Sequence, residues 1–261
     1  MAKFYINGFS FLEGDATVEN FAPYFEARRL RRMEIISKNA LFCSAQALSQ
    51  AGLDIHAPKE MGLSVAVGAG SLESTCKFMD SIIDDGDELS SPTAFAGSVH
   101  NSTGLTLSLF LHLNGPCVTT GQFDFSFAGA LLTAQEFLER EMCAEVLVSV
   151  AEDINPVAAE YAPRDRSLFS PVIRNPEGPF VRAAAAFILS KKPTPYSLFA
   201  VEKLSFSRTE NFPDFSLKSP STSAWAALQT ARLLAKQQPF IFRDDFAGAE
   251  FLLEAVPYVK P

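Results

Sequence analysis

Apolar residues recur along this chain with two different periods, and each change of period marks an element. "FYINGFSFL" over 4–12 predicts a first strand. From 29 to 51 the spacing becomes helical, with Leu30, Met33, Ile36, Leu41, Ala45 and Leu48 on one face and Gly52 as the stop. "GLSVAVGAG" (62–70) has the form of a short buried strand ending in glycines, and it leads into a helix over 71–85 closed by the turn-rich "DDGDELSSP". A loop then precedes a short helix from Ser98 to Leu111 and the turn Gly115-Pro116. "CVTTGQF" (117–123) predicts a strand, 125–142 a helix whose first turns are small residues, and "AEVLVSVAED" (144–153) a β-branched apolar strand.

Residues 154–179, rich in proline and charge, read as a loop with one helical turn. "VRAAAAFILSKK" (181–192) and "LFAVEKLSFS" (198–207) flank the turn "KPTPY" and predict two adjacent antiparallel strands. The segment 223–238 predicts a helix with Trp225, Leu228, Ala231 and Leu234 on its core face, and 240–256 a short strand followed by more helix. Strands alternating with helices imply an α/β sheet covered on both faces. No Gly- or Ser-rich linker divides the chain and no repeat is visible, so a single domain over 1–261 is expected.

Composition narrows the classes. With 261 residues, 48% of them hydrophobic, the chain can bury a sizeable core. A net charge of −8 argues against nucleic acid as a partner, because phosphate contacts need clustered Lys and Arg. The one basic run, "EARRLRRME" at Glu26–Glu34, is flanked by acids and reads as a solvated helix face, with docking of an acidic carrier as the alternative. Cys43, Cys76, Cys117 and Cys143 form no CxxC pair and are expected as buried thiols. No apolar run is long enough to span a membrane and the N-terminus lacks a signal-peptide layout, so a reducing cytoplasm is the expected compartment. His56, His100 and His112 share no metal-ligand spacing, and no metal or cofactor is expected.

The chemistry concentrates at "GPCVTTGQFDFSFAGALLTA" (115–134). A strand turning sharply into a helix of small residues is a mount on which several enzyme folds expose a nucleophile. Here the tip, "QFDF", has no Cys, Ser or Lys. Ser126 lacks the GxSxG frame, and Cys117 lies inside the strand, where burial would keep its thiol protonated. "GAGS" at 68–71 lacks the full dinucleotide fingerprint. Asp153 ends a strand where α/β sheets place ligand-facing groups, and His100, in "SVHN", sits among small residues suited to close packing or a binding site. No complete catalytic set emerges from these residues.

Taken together, "SPTAFAGSVHN", "NGPCVTTGQFDFSFAGALLTAQEFL" and "AEVLVSVAED" resemble the N-terminal half of β-ketoacyl-acyl carrier protein synthases. "RRLRRME", "VAVGAG", "PFVRAAAAFILS" and "AVEKLSFS" extend the resemblance over about residues 4–207. It implies an α/β, thiolase-like half, a single mixed sheet flanked by helices, with 208–261 as a short extension in place of the family's second half. The family's active-site cysteine falls on Asp124. A carboxylate cannot hold an acyl group as a thioester, so the condensing nucleophile is missing. The decarboxylation histidines belong to the second half, and no histidine follows Ser207.

The resemblance is closest to chain-length factors, non-catalytic subunits that pair with an active ketosynthase, in the short branch associated with aryl polyene pigments, a type II fatty acid- and polyketide-like pathway of Gram-negative bacteria. It implies a heterodimer with an active β-ketoacyl-ACP synthase, with acyl carrier protein as a further candidate partner. The strand Cys117, Val118, Thr119, Thr120, Gly121 and Gln122 would pair with the partner, its polar middle suiting an open edge. Phe95, Phe110, Phe123, Phe125 and Phe127 would wall the acyl tunnel. Lacking a second half, the lone chain would expose apolar interface. The alternative is a stand-alone thioester hydrolase or malonyl-carrier decarboxylase using Asp124 with His100.

Overall fold

The β-branched run of the fourth strand organises the molecule, because its alternation sends side chains into two separate cores. In the computed structural model the described residues are 3–31, 33–68, 70–85, 90–122, 125–152, 182–208, 223–246 and 249–260. The strands are β1 (Phe4–Glu13), β2 (Gly62–Ala66), β3 (Cys117–Thr120), β4 (Glu145–Glu152), β5 (Ala183–Ser190), β6 (Phe199–Arg208), β7 (Phe240–Phe246) and β8 (Ala249–Pro257). They form one mixed eight-stranded sheet in the order β3-β2-β4-β5-β1-β6-β8-β7. β2 runs parallel to both β3 and β4, while every pairing from β4–β5 to the far edge is antiparallel.

Val146, Val148 and Val150 of β4 face one side of the sheet. There they meet Phe127, Leu131 and Ala134 of α7 (Ser126–Glu139) and Leu228, Ala231 and Leu234 of α8 (Ser223–Ala235). Leu147 and Ala151 face the other side, against Leu41, Ala45 and Leu48 of α3 (Ile35–Gln50) and Leu107 of α6 (Ser102–Phe110). Gly8 lets α3 seat directly on β1, since a Cβ there would come within 2.3 Å of the Ala47 carbonyl oxygen. Two short helices, α1 (Val18–Phe21) and α2 (Ala27–Leu30), complete this side. α4 (Leu72–Asp85) and α5 (Pro92–Ser98) lie between β2 and α6 in sequence.

Several expectations change. β5 and β6, expected as adjacent antiparallel strands, do not pair: β1 inserts between them and runs antiparallel to each, so the short turn joins strands two places apart. The helix expected from 29 begins at Ile35, with residues 27–30 forming the separate α2. Arg28, Arg29, Arg31 and Arg32 would set like charges one turn apart in a continuous helix, which disfavours it. The loop expected before Ser98 contains α5, started by Ser91, whose Oγ accepts the Ala94 N–H at 3.2 Å, with Pro92 in the first turn. The expected helix after 240 is instead a hairpin, β7–β8. "AGAEFLLEAV" has helix-forming composition, but pairing with β6 along Arg208–Phe199 overrides it. α7 lies beneath α8, whose Ala224, Ala227 and Ala231 are fully buried. The Trp225 side chain, the loop 154–179 and Asp153 lie outside the description.

Candidate functional site: the β3 edge and its elbow

Among the described residues β3 has a hydrogen-bonded neighbour on one side only, β2, in the register Leu63–Cys117 to Ala66–Thr120, and its other edge is open. The strand expected over 117–123 ends at Thr120, and Gly121 and Gln122 begin the turn. Cys117 is exposed, against the expectation of a buried thiol, because an edge strand has no neighbour to cover it. Cys43 alone is fully buried, and desolvation pushes its thiol up to about 12, with the Ser10 hydrogen bond opposing. Cys76 and Cys143 are half-buried.

Small residues let helices press on both faces of β3. A Cβ at Gly104 of α6 would lie 3.0 Å from Thr119 Oγ1 and 3.5 Å from Cys117 Sγ. One at Gly129 of α7 would lie 2.7 Å from Thr120 Cγ2. Thr119 Oγ1 is buried with no hydrogen-bond partner among the described residues. Beside the open edge the surface turns apolar: Val118 is 40% exposed, and Leu105 and Leu109 of α6 are 59% and 63% exposed.

Beyond Thr120 the turn is tied down by hydrogen bonds, that from Ser126 to Val67 being buried. Val67 N–H donates to the Thr120 carbonyl (3.1 Å) and Phe125 N–H to that of Gln122 (3.1 Å). Ser126 Oγ accepts the Gln122 N–H (2.8 Å) and donates to the Val67 carbonyl (3.1 Å). Ser126 is therefore a structural clasp of the elbow. Gly68 N–H donates to Glu152 Oε1 at 2.6 Å, and a Cβ at Gly68 would strike that carboxylate at 2.3 Å. Glu152, buried at the end of β4, was not singled out from sequence. The available signal was an acid closing an apolar strand opposite the glycines of "GAG".

His100 is a second titratable side chain that the described residues bring to the elbow. Its ring rests on two glycines: a Cβ at Gly70, where φ is +77°, would lie 3.2 Å from Cε1 and Nε2, and one at Gly121 would lie 3.2 Å from Cδ2. The close fit accounts for two glycines at the ends of β2 and β3. The imidazole itself is exposed. Asp124 and Phe123 lie outside the described residues.

The remaining phenylalanines do not form one cluster. Phe95 is 53% exposed and its ring meets Phe78. Phe125 packs edge-on to Phe206, beside the elbow. Phe127 is core, against Phe187 and Phe251. Phe110 sits with Phe25, and the Arg29 guanidinium lies 5.0 Å over its ring. That contact, with the Arg28–Glu26 ion pair at 2.6 Å, occupies part of the basic run. Among the described residues no group of three or more His, Cys, Asp or Glu could hold a metal ion, and no helix is long and apolar enough to cross a membrane.

Comparison with known proteins follows the same lines. The family model of the β-ketoacyl synthase N-terminal domain matches residues 16–241. Comparison with curated proteins gives no match. Among solved structures, a chain of the ishigamide ketosynthase/chain length factor is 15% identical with a TM-score of 0.73, covering 98% of this chain and 99% of that one. A chain of AntDE:AntF, a type II acyl-carrier protein in complex with its ketosynthase, is 13% identical with a TM-score of 0.80, covering 99% and 100%. The ketosynthase ApeO in complex with its chain length factor ApeC, from Xenorhabdus doucetiae, gives 14%, a TM-score of 0.66, and coverage of 97% and 99%. Identities this low speak to fold, and the fold is the expected thiolase-like half, one mixed sheet with helices on both faces. With its match spanning residues 16–241, the chain belongs to the β-ketoacyl synthase N-terminal-domain family.

Proposed function

We propose that this protein is a chain-length-factor-type subunit that pairs with an active ketosynthase through the open edge of β3 and helps shape its acyl tunnel. The observation that carries the proposal is the free β3 edge, uncharged, flanked by exposed Val118, Leu105 and Leu109, and leading straight into the elbow. An extended partner strand would complete the ladder by backbone hydrogen bonds, and the apolar rim would supply the buried area. Two of the structural relatives are described as a ketosynthase with a chain length factor, which supports this role. The pathway we favour is aryl polyene synthesis. With Asp124 at the nucleophile position, the subunit performs no condensation of its own. Phe125, part-buried beside the elbow, and Phe95, exposed on α5, are the tunnel-wall candidates among the described residues.

Co-expression with an active ketosynthase from the same source, followed by gel filtration, tests the pairing. The expected result is co-elution as a heterodimer. A stable monomer that ignores the ketosynthase contradicts the proposal. Charge reversal at Arg28 and Arg31 then tests contact with acyl carrier protein, and should weaken carrier binding while leaving the heterodimer intact.

A second reading, a thioester hydrolase or malonyl-carrier decarboxylase, draws on His100 resting against the elbow glycines Gly70 and Gly121. Purified protein incubated with malonyl- and acyl-carrier substrates separates the two readings. Turnover lost in both Asp124→Ala and His100→Ala favours the enzyme.

A further inference from the structure

A second concave site lies at the opposite end of the sheet from the elbow. β2, β3 and β4 run parallel, so the N-terminal end of β4 is the end remote from the β3 exit. There the α7–β4 connection and the residues following β5 enclose a cavity of about 460 Å³, within the size range of small-molecule sites. Leu138, Cys143 and Pro193 form its apolar lining. Cys143 Sγ occupies the space a side chain at Gly62 would need, 2.8 Å from a Cβ there.

The wall behind it is rigid. Asn7 Nδ2 donates to Ser190 Oγ (2.9 Å), and Asn7 Oδ1 accepts from Ser197 Oγ (2.8 Å). Ser190 Oγ donates to the Lys192 carbonyl (2.7 Å). All three of these side chains are buried, and such a network holds its members in place.

The charges around the cavity are incompletely matched. Lys191 Nζ pairs with Glu141 at 3.0 Å, and its hydrogen bond holds the Glu141 carboxyl below the ordinary range. Glu145 is half-buried and hydrogen-bonded to Asn7, and has no cation within ion-pair distance among the described residues. Lys192 forms no ion pair among them, its charge acting at longer range on Glu141. Burial pushes the Glu145 carboxyl upward, against the Asn7 hydrogen bond, and burial also raises the Cys143 thiol. A half-buried carboxylate without a cation partner, set beside an apolar lining in a concave wall, has the make-up of a ligand site.

We propose that this cavity binds a small zwitterion, its ammonium on Glu145, its carboxylate toward Lys192, and an apolar body against Leu138, Cys143 and Pro193. This site is separate from the partner surface and does not depend on the ketosynthase pairing.

6-Aminohexanoate carries both charges on an apolar spacer, while hexanoate and hexylamine carry one each. On the full-length chain we expect 6-aminohexanoate, at millimolar concentration, to protect Cys143 from N-ethylmaleimide, read by peptide mass spectrometry. Either single-charge probe should protect at least about fivefold less. Glu145→Gln and Lys192→Met should each abolish protection with unchanged thermal melts, and Lys191→Met should retain it. Calorimetric titration gives an independent reading of the same binding. Equal protection by hexanoate or hexylamine, protection that survives both substitutions, or neither heat nor protection with any probe overturns the proposal.

Discussion

Among the described residues the sheet has two free edges, and they are built differently. β7 pairs only with β8, and its sequence "FIFRDDF" places three charged residues in seven, with Arg243 held to Glu250 at 3.4 Å. β3 pairs only with β2, is four residues long, and carries no charge. Charged side chains on an edge discourage addition of another strand, whereas a neutral edge accepts one. Ile241 on β7 is 63% exposed, more than Val118 on β3, so exposed apolar area alone does not separate the two. What does separate them is the absence of charge at β3, together with an apolar rim on the adjoining helix α6. Among the described residues one edge is protected by charge and the other is left open.

The comparison can be broken first at the scaffold beneath the open edge. Phe127 is buried between Phe187 and Phe251, and Phe127→Ala should cost about 3–5 kcal/mol of unfolding free energy, measured by urea titration. Phe95→Ala, at an exposed ring, should change stability by no more than about 0.5 kcal/mol. If the two cost the same, the division between core and surface phenylalanines is wrong.

Next in size is the edge itself. Val118→Asp should weaken ketosynthase binding by about 2–4 kcal/mol, because a charge would be buried unpaired in the new ladder. Ile241→Asp on β7 should leave binding unchanged in the same calorimetric measurement. Thiol reactivity then sharpens the contrast without mutation: in the isolated native chain Cys117 should be alkylated first and Cys43 last, the latter buried and with its pKa near 12.

The smallest effect concerns Glu145. Burial raises its folded-state pKa, so the folded chain holds this proton to higher pH than the unfolded chain does. Stability contributed by the protonated form is therefore lost as pH rises from the ordinary carboxylate range through the raised value. Glu141, Cys143, Lys191 and Lys192 line the same cavity and are common to both proteins compared. Urea midpoints from about pH 4 to about pH 8 should fall less in Glu145→Gln than in the wild type.

Sequence patterns were most legible where local preference and tertiary packing agree. β2, β4, α7, β5 and β6 have strong periodicity or β-branched runs, and all lie within a few residues of their expected bounds, but the adjacency expected of β5 and β6 fails because β1, far away in sequence, inserts between them. The β7–β8 hairpin was not legible, because "AGAEFLLEAV" favours a helix until β6 offers an edge. The exposure of Cys117 follows from strand order, which periodicity does not encode. The elbow residues could be located in sequence through the run from Gly115 to Ala134. The contacts of His100 with Gly70 and Gly121, and of Glu152 with Gly68, join residues distant along the chain and needed the fold to appear. Phe95, Phe110, Phe125 and Phe127 are near one another in sequence or topology, but helix faces and strand order point them to different neighbours.

Cys117, at the start of the open edge, reports directly on whether a partner covers it. N-ethylmaleimide labelling of the isolated chain and of its purified complex with the ketosynthase, followed by peptide mass spectrometry, gives the two rates side by side. The account predicts rapid labelling alone and at least about tenfold slower labelling in the complex. Labelling at the same rate in a complex that has demonstrably formed would place the partner elsewhere and contradict the assignment of β3.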